Sequence, residues 1–334
     1  MSKITRKLKS YAADKPALWS SLKKAQEWKY DIDYHTYYGK LGTQTASTTE
    51  INVEFCSNCN LRCSFCALDH SKPKSYMSVA VLNRIFECLL ADVRFKRVNT
   101  INLHNGGETL MHPERMKLFK RIAHYRNLFA AVGQPFPKIV LLTNGMLLRT
   151  KLAEELISLK VLDEVGFSLD GGSPEAFEAL RVNAKWERFA DNVRNVIALK
   201  KEIDPQLKTF GISIIPKPHP LNNTWMDPDF KAVTELLDSV EYRRLHDWGG
   251  QVDIGSKSVV NKKGCSMLMR QMVVLPNGDV SVCCNDLNSQ GVVGNILEEE
   301  LYAIYKGEQR LRYVRLLKQG RKSELELCKN CVSF

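Results

Sequence analysis

The sequence predicts an α/β fold built on parallel strands, followed by a small α+β domain. Apolar stretches of strand length alternate about six times with segments whose apolar residues recur at helical spacing, between Thr49 and Ile254. That alternation implies parallel strands joined by helical crossovers. Polar and glycine-rich clusters follow one strand after another, and in parallel α/β folds the site lies at the carboxyl ends of the strands. Beyond residue 260 the pattern changes to a hairpin, two helices and a closing cysteine pair. The expected division is 1–48, 49–255 and 256–334.

Residues 1–48 form a basic, aromatic lead-in with Trp19, Trp28, Tyr30, Tyr34, Tyr37 and Tyr38, and Pro16–Trp28 reads as an amphipathic helix. These aromatics either pack the extension onto the main domain or line a substrate mouth. Glu50–Phe55 is a short strand. Met77–Arg94 is a helix whose Val81, Leu82, Ile85, Phe86, Leu89 and Leu90 share a face. Its Cys88 is read as a core residue. Strand Val98–Leu103, helix Pro113–Leu128, strand Ile139–Leu142, helix Lys151–Leu159 and strand Glu164–Leu169 follow in turn. Ser173 is placed as an N-cap with Pro174 at the first helical position. Helix Arg188–Lys201, strand Phe210–Ile215, helix Phe230–Val240 and a last strand at Gln251–Ile254 complete this part. Then Gln271–Leu275 and Val280–Val282 flank Pro276-Asn277-Gly278-Asp279, a hairpin with an Asn-Gly turn. Gly294-Asn295-Ile296 leads into one helix through Ile304 and a second through Leu317.

The chain has 334 residues, enough for one large domain and a smaller appendage, and a formal net charge of +11. No apolar run approaches the roughly 18 residues that span a bilayer, and the start lacks the apolar segment of a signal peptide. The expected location is cytoplasmic, so the ten cysteines are read as metal ligands rather than a disulfide framework. The basic balance suits RNA, an anionic substrate or an acidic redox partner. Lys and Arg are spread along the chain and no RNA-binding motif accompanies them, so neither nucleic acid nor a membrane is expected as a partner.

Three cysteines, Cys59, Cys63 and Cys66, stand four and three residues apart in one loop, with Phe65 before the last. Thiolates suit iron–sulfur clusters, and three of them suggest a cubane with one iron left open. A zinc site or a disulfide pair is the alternative, although zinc usually takes paired C-x2-C knuckles. The C-x3-C-x-aromatic-C pattern resembles the signature of the radical S-adenosylmethionine (radical SAM) superfamily. In that family the open iron is chelated by the amino and carboxylate groups of S-adenosylmethionine. The resemblance covers about residues 49–255 and implies a partial (βα)6 barrel. Gly106-Gly107-Glu108-Thr109 resembles the family's Gly-Gly-Glu-Pro segment, with Thr109 for proline, and implies a seat for the amino group of S-adenosylmethionine. The resemblance further implies cofactor contacts from Ser168 and Asp170, from Asn144 in Thr143-Asn144-Gly145, and from Phe65 beside the adenine. Each has a plainer reading as a turn or cap. Arg181 is either a ligand to the cofactor's carboxylate or a solvated surface residue. Cys56 is read as structural or as a thiol near the cluster.

Cys265, Gly278 and Cys283 follow a C-x12-G-x4-C spacing, and Cys328 and Cys331 form a distant C-x2-C pair. This is similar to the Twitch domain, a shortened SPASM domain, and implies a second, auxiliary 4Fe–4S cluster held by Cys265, Cys283, Cys328 and Cys331. A structural zinc site with the same thiolates is the alternative. Only one of Cys283 and Cys284 is expected to ligate, because adjacent strand residues point to opposite faces. The other is either packing or a hydrogen-atom donor.

These resemblances imply cofactors of two 4Fe–4S clusters and S-adenosylmethionine, a flavodoxin or ferredoxin electron donor, and hydrogen-atom abstraction by a 5′-deoxyadenosyl radical. The first reading of the net reaction is dehydrogenation of a small alcohol or sugar-like substrate. Alternatives are a SPASM-type peptide or protein maturase, an RNA-modifying enzyme, and a non-enzymatic electron carrier. His246 and Asp247, in His246-Asp247-Trp248-Gly249-Gly250, are candidates to take a proton from the substrate, and Cys284 is the candidate donor.

Overall fold

Apolar strands with helix crossovers dominate the computed structural model, which describes residues 45–253 and 263–332 and isolated positions at 15, 17–18, 21, 24–25, 28 and 32. The described positions from 17 to 32 are helical, in keeping with the expected lead-in helix. Trp19, Tyr30, Tyr34, Tyr37, Tyr38 and Ile254 lie outside the described residues. The chain divides into two compact units.

The first unit comprises Met1–Glu27, Asn60–Cys66 and Val140–Leu245. Its sheet is parallel throughout: β3 (Lys138–Thr143) pairs with β4 (Glu164–Ser168), β4 with β5 (Lys208–Ile214), and β5 with β6 (Ser239–Arg243). Helix α3 (Thr150–Ser158) follows β3, α4 (Pro174–Leu180) and α5 (Trp186–Ile203) follow β4, and α6 (Pro228–Glu235) follows β5. Ser173 caps α4 as expected, its Oγ accepting the Ala176 amide at 3.2 Å, with Pro174 in the first turn. Such a cap contributes about 1 kcal/mol. Phe177, Phe189, Trp186 and Phe230 pack in series, ring centroids 4.6–5.7 Å apart, and form the apolar mass beneath the strands.

The sixth strand departs from the expected plan. The helix expected to reach Val240 stops at Glu235, and Ser239–Arg243 is β6, in register with Phe210–Ile214. Leu236, Leu237 and Val240 satisfy a helical period as readily as a strand, and a short apolar run cannot separate the two. Pairing decides the matter, since β6 supplies hydrogen bonds to the open edge of β5. Gln251–Asp253, read as part of a strand, is a turn in which Gly250 and Val252 both donate to Asp247 O.

The second unit comprises Trp28–Cys59, Ala67–Ile139 and His246–Phe334. Its strand order is β2-β1-β7-β8-β9, with β1 at Glu50–Val53, β2 at Thr100–Leu103, β7 at Gln271–Val274, β8 at Asp279–Ser281 and β9 at Val292–Asn295. Strand β1 is parallel to both β2 and β7, while β7, β8 and β9 run antiparallel in sequence. The Asn277-Gly278 turn joins β7 to β8 as expected, with Gly278 at φ +91°. Strand β9 replaces the lead-in expected at Gly294-Asn295-Ile296. Helix α1 (Val79–Ala91) buries Val81, Leu82, Ile85, Phe86 and Cys88, and α2 (Arg115–Ala131) crosses it, Tyr125 stacking on Phe86 at 5.0 Å. Burying a side chain such as Phe86 contributes about 1.5–3 kcal/mol. Helices α7 (Ser266–Arg270), α8 (Leu301–Lys306) and α9 (Glu308–Lys318) complete the unit.

Candidate functional site

The cysteine loop leaves β1 through Phe55 and Cys56. In the first unit it is pinned to the end of α4 by two backbone bonds, Arg62 N to Val182 O (3.0 Å) and Ser64 N to Leu180 O (2.9 Å). Arg181, at that same helix end, is buried and not a solvated surface residue. Its Nη1 lies 3.8 Å from Cys63 Sγ, and its guanidinium carbon lies 5.8 Å from the centre of the buried Phe65 ring. Burial pushes the Cys63 thiol up, and the Arg181 charge opposes that rise while the neighbouring Cys66 adds to it. Arg181 is in turn held by Asp170, whose other oxygen, Oδ1, accepts the Ile214 amide at 2.7 Å. Asn144 donates to Asn60 Oδ1 at 2.9 Å, and its own Oδ1 accepts from Met146 N. Ser168 ends β4 opposite Ile212 and is half-buried. The structure thus brings Cys63, Cys66, Phe65 and Asp170 into one neighbourhood and ties Asn144 to the cysteine loop.

In the second unit, the Gly-Gly-Glu segment follows β2 and presses on the backbone just past β1. Glu108 N donates to Asn58 O at 2.8 Å, and a Cβ on Gly107 would lie 2.0 Å from Cys56 O. Only glycine permits that approach. The Cys56 thiol donates to Glu108 O at 3.0 Å. Burial pushes it up to about 12, so it stays protonated and serves as a strut. Thr109, standing where the family has proline, donates its hydroxyl to Leu103 O at 2.6 Å and closes the turn. Glu108 Oε1 accepts from Leu110 N and caps the same turn. Gly106 N donates to Glu54 Oε2 at 2.8 Å. Asn105 Oδ1 is buried with no hydrogen-bond partner among the described residues, an acceptor that fits a ligand bearing N–H donors beside this segment.

The later cysteines also gather. Cys328 is pushed well up by burial and next by Cys265, Cys283 and Cys331, so the other three expected auxiliary ligands lie within electrostatic reach of it. Among the described residues no three His, Cys, Asp or Glu side chains close on a single ion. Four soft donors fit a multi-iron cluster, whose ligands stand farther apart than those of one ion. Cys331 N donates to Cys328 O, and the buried Lys322 donates to Cys331 O at 2.6 Å, which shapes the C-x2-C turn. Strand β8 ends at Ser281, so Cys283 and Cys284 lie in the turn that follows and not on the strand whose alternation would point them apart, and the interaction between their thiols raises Cys283 and lowers Cys284. Arg270 lowers Cys284 further.

Asp247 is buried, and its Oδ2 accepts the Val332 amide at 2.7 Å, directly after Cys331. The His246 ring lies 4.2 Å from Trp248, whose amide N donates to His246 Nδ1 at 3.3 Å. In that bond Nδ1 is the acceptor, so a single ring proton would sit on Nε2. Gln251 Nε2 donates to the carbonyls of Trp248 and Asn285. Asn288 Nδ2 donates to Gln251 Oε1 (2.9 Å) and to Ala67 O (2.7 Å), so the chain after Cys66 is clasped to the loop after Cys284. Glu54, Asn105, Gln251 and Asn288 were not singled out in the sequence. Glu54 continues the polar positions Glu50 and Asn52 of an alternating strand, so it carried no local signal.

Residues 53–218 match the model of the radical SAM superfamily, and residues 265–332 match the SPASM model, an iron–sulfur cluster-binding domain. A relative from Niallia circulans, S-adenosyl-L-methionine-dependent 2-deoxy-scyllo-inosamine dehydrogenase, is 30% identical over 87 residues, 26% of this chain and 35% of that protein. The match therefore spans about a third of that relative's length. The crystal structure of BtrN in complex with AdoMet and 2-DOIA is similar with a TM-score of 0.56 and 20% identity, over 86% of this chain and 93% of that one. The structure of Streptococcus suis SuiB bound to precursor peptide SuiA is similar with a TM-score of 0.64 and 14% identity, over 94% of this chain and 76% of that one. At these identities the structural likenesses are ones of fold.

Proposed function

We propose that this chain, which belongs to the radical SAM superfamily and carries a SPASM iron–sulfur domain after its radical SAM segment, carries out a net two-electron oxidation of a small alcohol or sugar-like substrate. Its cofactors are two 4Fe–4S clusters and S-adenosylmethionine. When bound, they supply the 5′-deoxyadenosyl radical that abstracts a substrate hydrogen atom, and a sink for the electron the substrate then releases. The catalytic part is assigned to 49–255 and the auxiliary part to 256–334.

Cys59, Cys63 and Cys66 are assigned to the first cluster. Gly106, Gly107 and Glu108 are assigned to the amino end of S-adenosylmethionine, and Phe65, Asn144, Ser168 and Asp170 to the rest of it. Cys265, Cys283, Cys328 and Cys331 are assigned to the auxiliary cluster. Among the candidates for substrate chemistry, His246 suits a hydrogen bond from Nε2 to a substrate oxygen. Asp247 anchors the turn after Cys331, which leaves the proton-accepting role to a group close to it or to water. Cys284 is the reserve hydrogen donor.

The observation that carries the oxidation reading is the gathering of Cys265, Cys283 and Cys331 around Cys328. A cluster with four thiolates has no site for substrate and suits electron acceptance. The similarity to a dehydrogenase over 87 residues adds to this. A peptide substrate is the second reading, supported by the fold likeness to SuiB across 94% of the chain. A flavodoxin or ferredoxin as donor and a cytoplasmic setting complete the proposal. Among the described residues no helix is long and apolar enough to cross a membrane. The test is the mass of the product. Loss of two hydrogens from an alcohol substrate supports the reading, and an unchanged mass overturns it.

A further inference from the structure

We propose that Glu54 is a positioning residue for S-adenosylmethionine, its carboxylate fixing the Asn105–Glu108 segment against the loop that follows Cys284. The proposal rests on membership of the radical SAM superfamily and is independent of the net reaction.

Glu54 follows β1 directly and is 4% exposed. Its amide donates to Val274 O at the end of β7, so its backbone is fixed on that side. Its side chain accepts from Gly106 N at 2.8 Å and from the Asn105 side chain, which also donates to Asp286 O at 3.3 Å. A Cβ on Gly106 would meet Glu54 Oε2 at 3.2 Å, Leu68 Cδ1 at 3.3 Å and Leu287 O at 3.4 Å. Gly106 is therefore seated in a slot with Glu54 on one wall and the 285–287 loop on another. That loop is itself rigid, because Asp286 accepts from Ser281 Oγ, Gln290 N and Gly291 N. Glu54 thus joins the segment assigned to the amino end of S-adenosylmethionine to the loop that begins at the auxiliary cysteines.

Two neutral amide donors, one backbone and one side-chain, do not balance a buried carboxylate. The titratable groups facing Glu54 are Asp286 from the loop after β8, Lys72 from the segment after the cysteine loop, and the Cys56 thiol, which stays protonated and neutral. Burial dominates, Asp286 opposes ionisation more than Lys72 favours it, and the carboxyl titrates at about 7. A cation bound against the adjoining segment supplies the missing balance. S-adenosylmethionine carries a sulfonium and an amino group. By linkage, whatever the cation does to ionise Glu54, ionised Glu54 does to hold the cation. The Glu54 contribution to affinity therefore rises with pH up to about 7 and levels off above it.

The experiment is equilibrium dialysis of S-adenosylmethionine against the anaerobically reconstituted protein at about pH 6 and about pH 8, with iron content measured alongside. We expect Glu54→Gln to bind about tenfold more weakly than the wild type at the higher pH, and the wild type's advantage over it to grow about three- to tenfold between the two pH values. The amino group of the ligand titrates too, but equally for both proteins, so it cancels in their ratio. Glu54→Ala should be weaker still, and if it fails to fold the isosteric Glu54→Gln decides. Wild-type affinity in Glu54→Gln at both pH values overturns the proposal. So does a uniform loss that keeps the wild-type pH dependence, and so does loss of iron from Glu54→Gln, since each assigns Glu54 to general structure.

Discussion

Arg181 Nε and Nη2 stand 2.7 and 2.5 Å from one oxygen of Asp170, Oδ2, in a pair whose side chains are 10% and 1% exposed. Removing one member of such a pair leaves the other charge buried and uncompensated, at a cost of about 3–5 kcal/mol. Arg181→Ala should therefore lower the unfolding free energy by that much, read as a lower urea midpoint with an unchanged slope, and Arg181→Lys should recover only part, since an ammonium cannot reproduce the planar fork. A loss under about 1 kcal/mol, as for surface pairs, would show that Asp170 is solvated and the pairing incidental.

Gly107→Ala should be among the most damaging single changes in the second unit. The added methyl would lie 2.0 Å from Cys56 O and 2.7 Å from Asn58 O, both backbone atoms that cannot swing aside. Overpacking of this kind costs about 1–3 kcal/mol, and the displaced segment is the one assigned to the amino end of S-adenosylmethionine. Dialysis should show at least a tenfold loss of binding while the iron content stays at the wild-type level. Binding within twofold of wild type would remove this segment from the cofactor's seat.

The cluster assignments predict separable losses. Wild-type protein should hold about eight irons, four per cubane. Changing Cys59, Cys63 and Cys66 together to Ala should leave about four and abolish release of 5′-deoxyadenosine under dithionite. A triple variant that still releases it refutes the assignment. An iron count near four in the wild type, with stoichiometric zinc, would return the Cys265, Cys283, Cys328 and Cys331 set to a structural zinc site.

Stability without S-adenosylmethionine should fall as pH rises past Glu54. Its folded value of about 7 lies above the ordinary 4.5, so between those values the folded state holds a proton that the unfolded chain has lost. The contribution is therefore full below about 4.5, shrinks as pH rises from there, and is gone once pH has passed about 7. From about pH 6 to about pH 8 the loss is about 1.4 kcal/mol. Chemical denaturation at the two pH values checks this, and Glu54→Gln should flatten the difference. A stability that rises over this interval, with no change in Glu54→Gln, contradicts the stated sign.

The cysteine loop was legible because its chemistry is local: three thiols and Phe65 fall within eight residues of sequence. The alternation of strands and helices was legible for the same reason, since periodicity is a short-range signal. Strand β6 was missed because Leu236, Leu237 and Val240 fit either period. Strand β9 is four residues long, contains Gly294, and is defined by its pairing with β8. The supporting contacts of the site were hidden more deeply. Glu54 meets Gly106 across 52 positions and Arg181 meets Cys63 across 118. No window along the chain contains both members of either pair. Glu54 falls with Glu50 and Asn52 on the polar positions of the alternating stretch Glu50–Phe55, so nothing local marks it, and the structure supplies the partner.

Electron flow gives the sharpest division among the reactions open to this site. Oxidation of an alcohol removes two electrons: one leaves with the hydrogen atom taken into 5′-deoxyadenosine, so the other, with a proton lost from the hydroxyl, must leave the substrate by another route. Cys328 has Cys265, Cys283 and Cys331 as neighbours, a thiolate set suited to receive it. Replacing Cys328 and Cys331 by Ser should spare the first half of the reaction. Deuterium should still pass from a labelled substrate to 5′-deoxyadenosine, because abstraction precedes oxidation. Formation of the product lighter by two hydrogens should slow by about a hundredfold or more, equivalent to at least about 2.7 kcal/mol in the barrier. The basic chain, at net charge +11, suits an acidic flavodoxin or ferredoxin as donor. On that account turnover with a protein donor should fall with salt, while turnover with dithionite should respond far less. A rearrangement or epimerisation makes no such demand on the auxiliary site. If the double variant forms product at the wild-type rate, the oxidation reading fails, and Cys284→Ala becomes the decisive variant for a hydrogen-returning step.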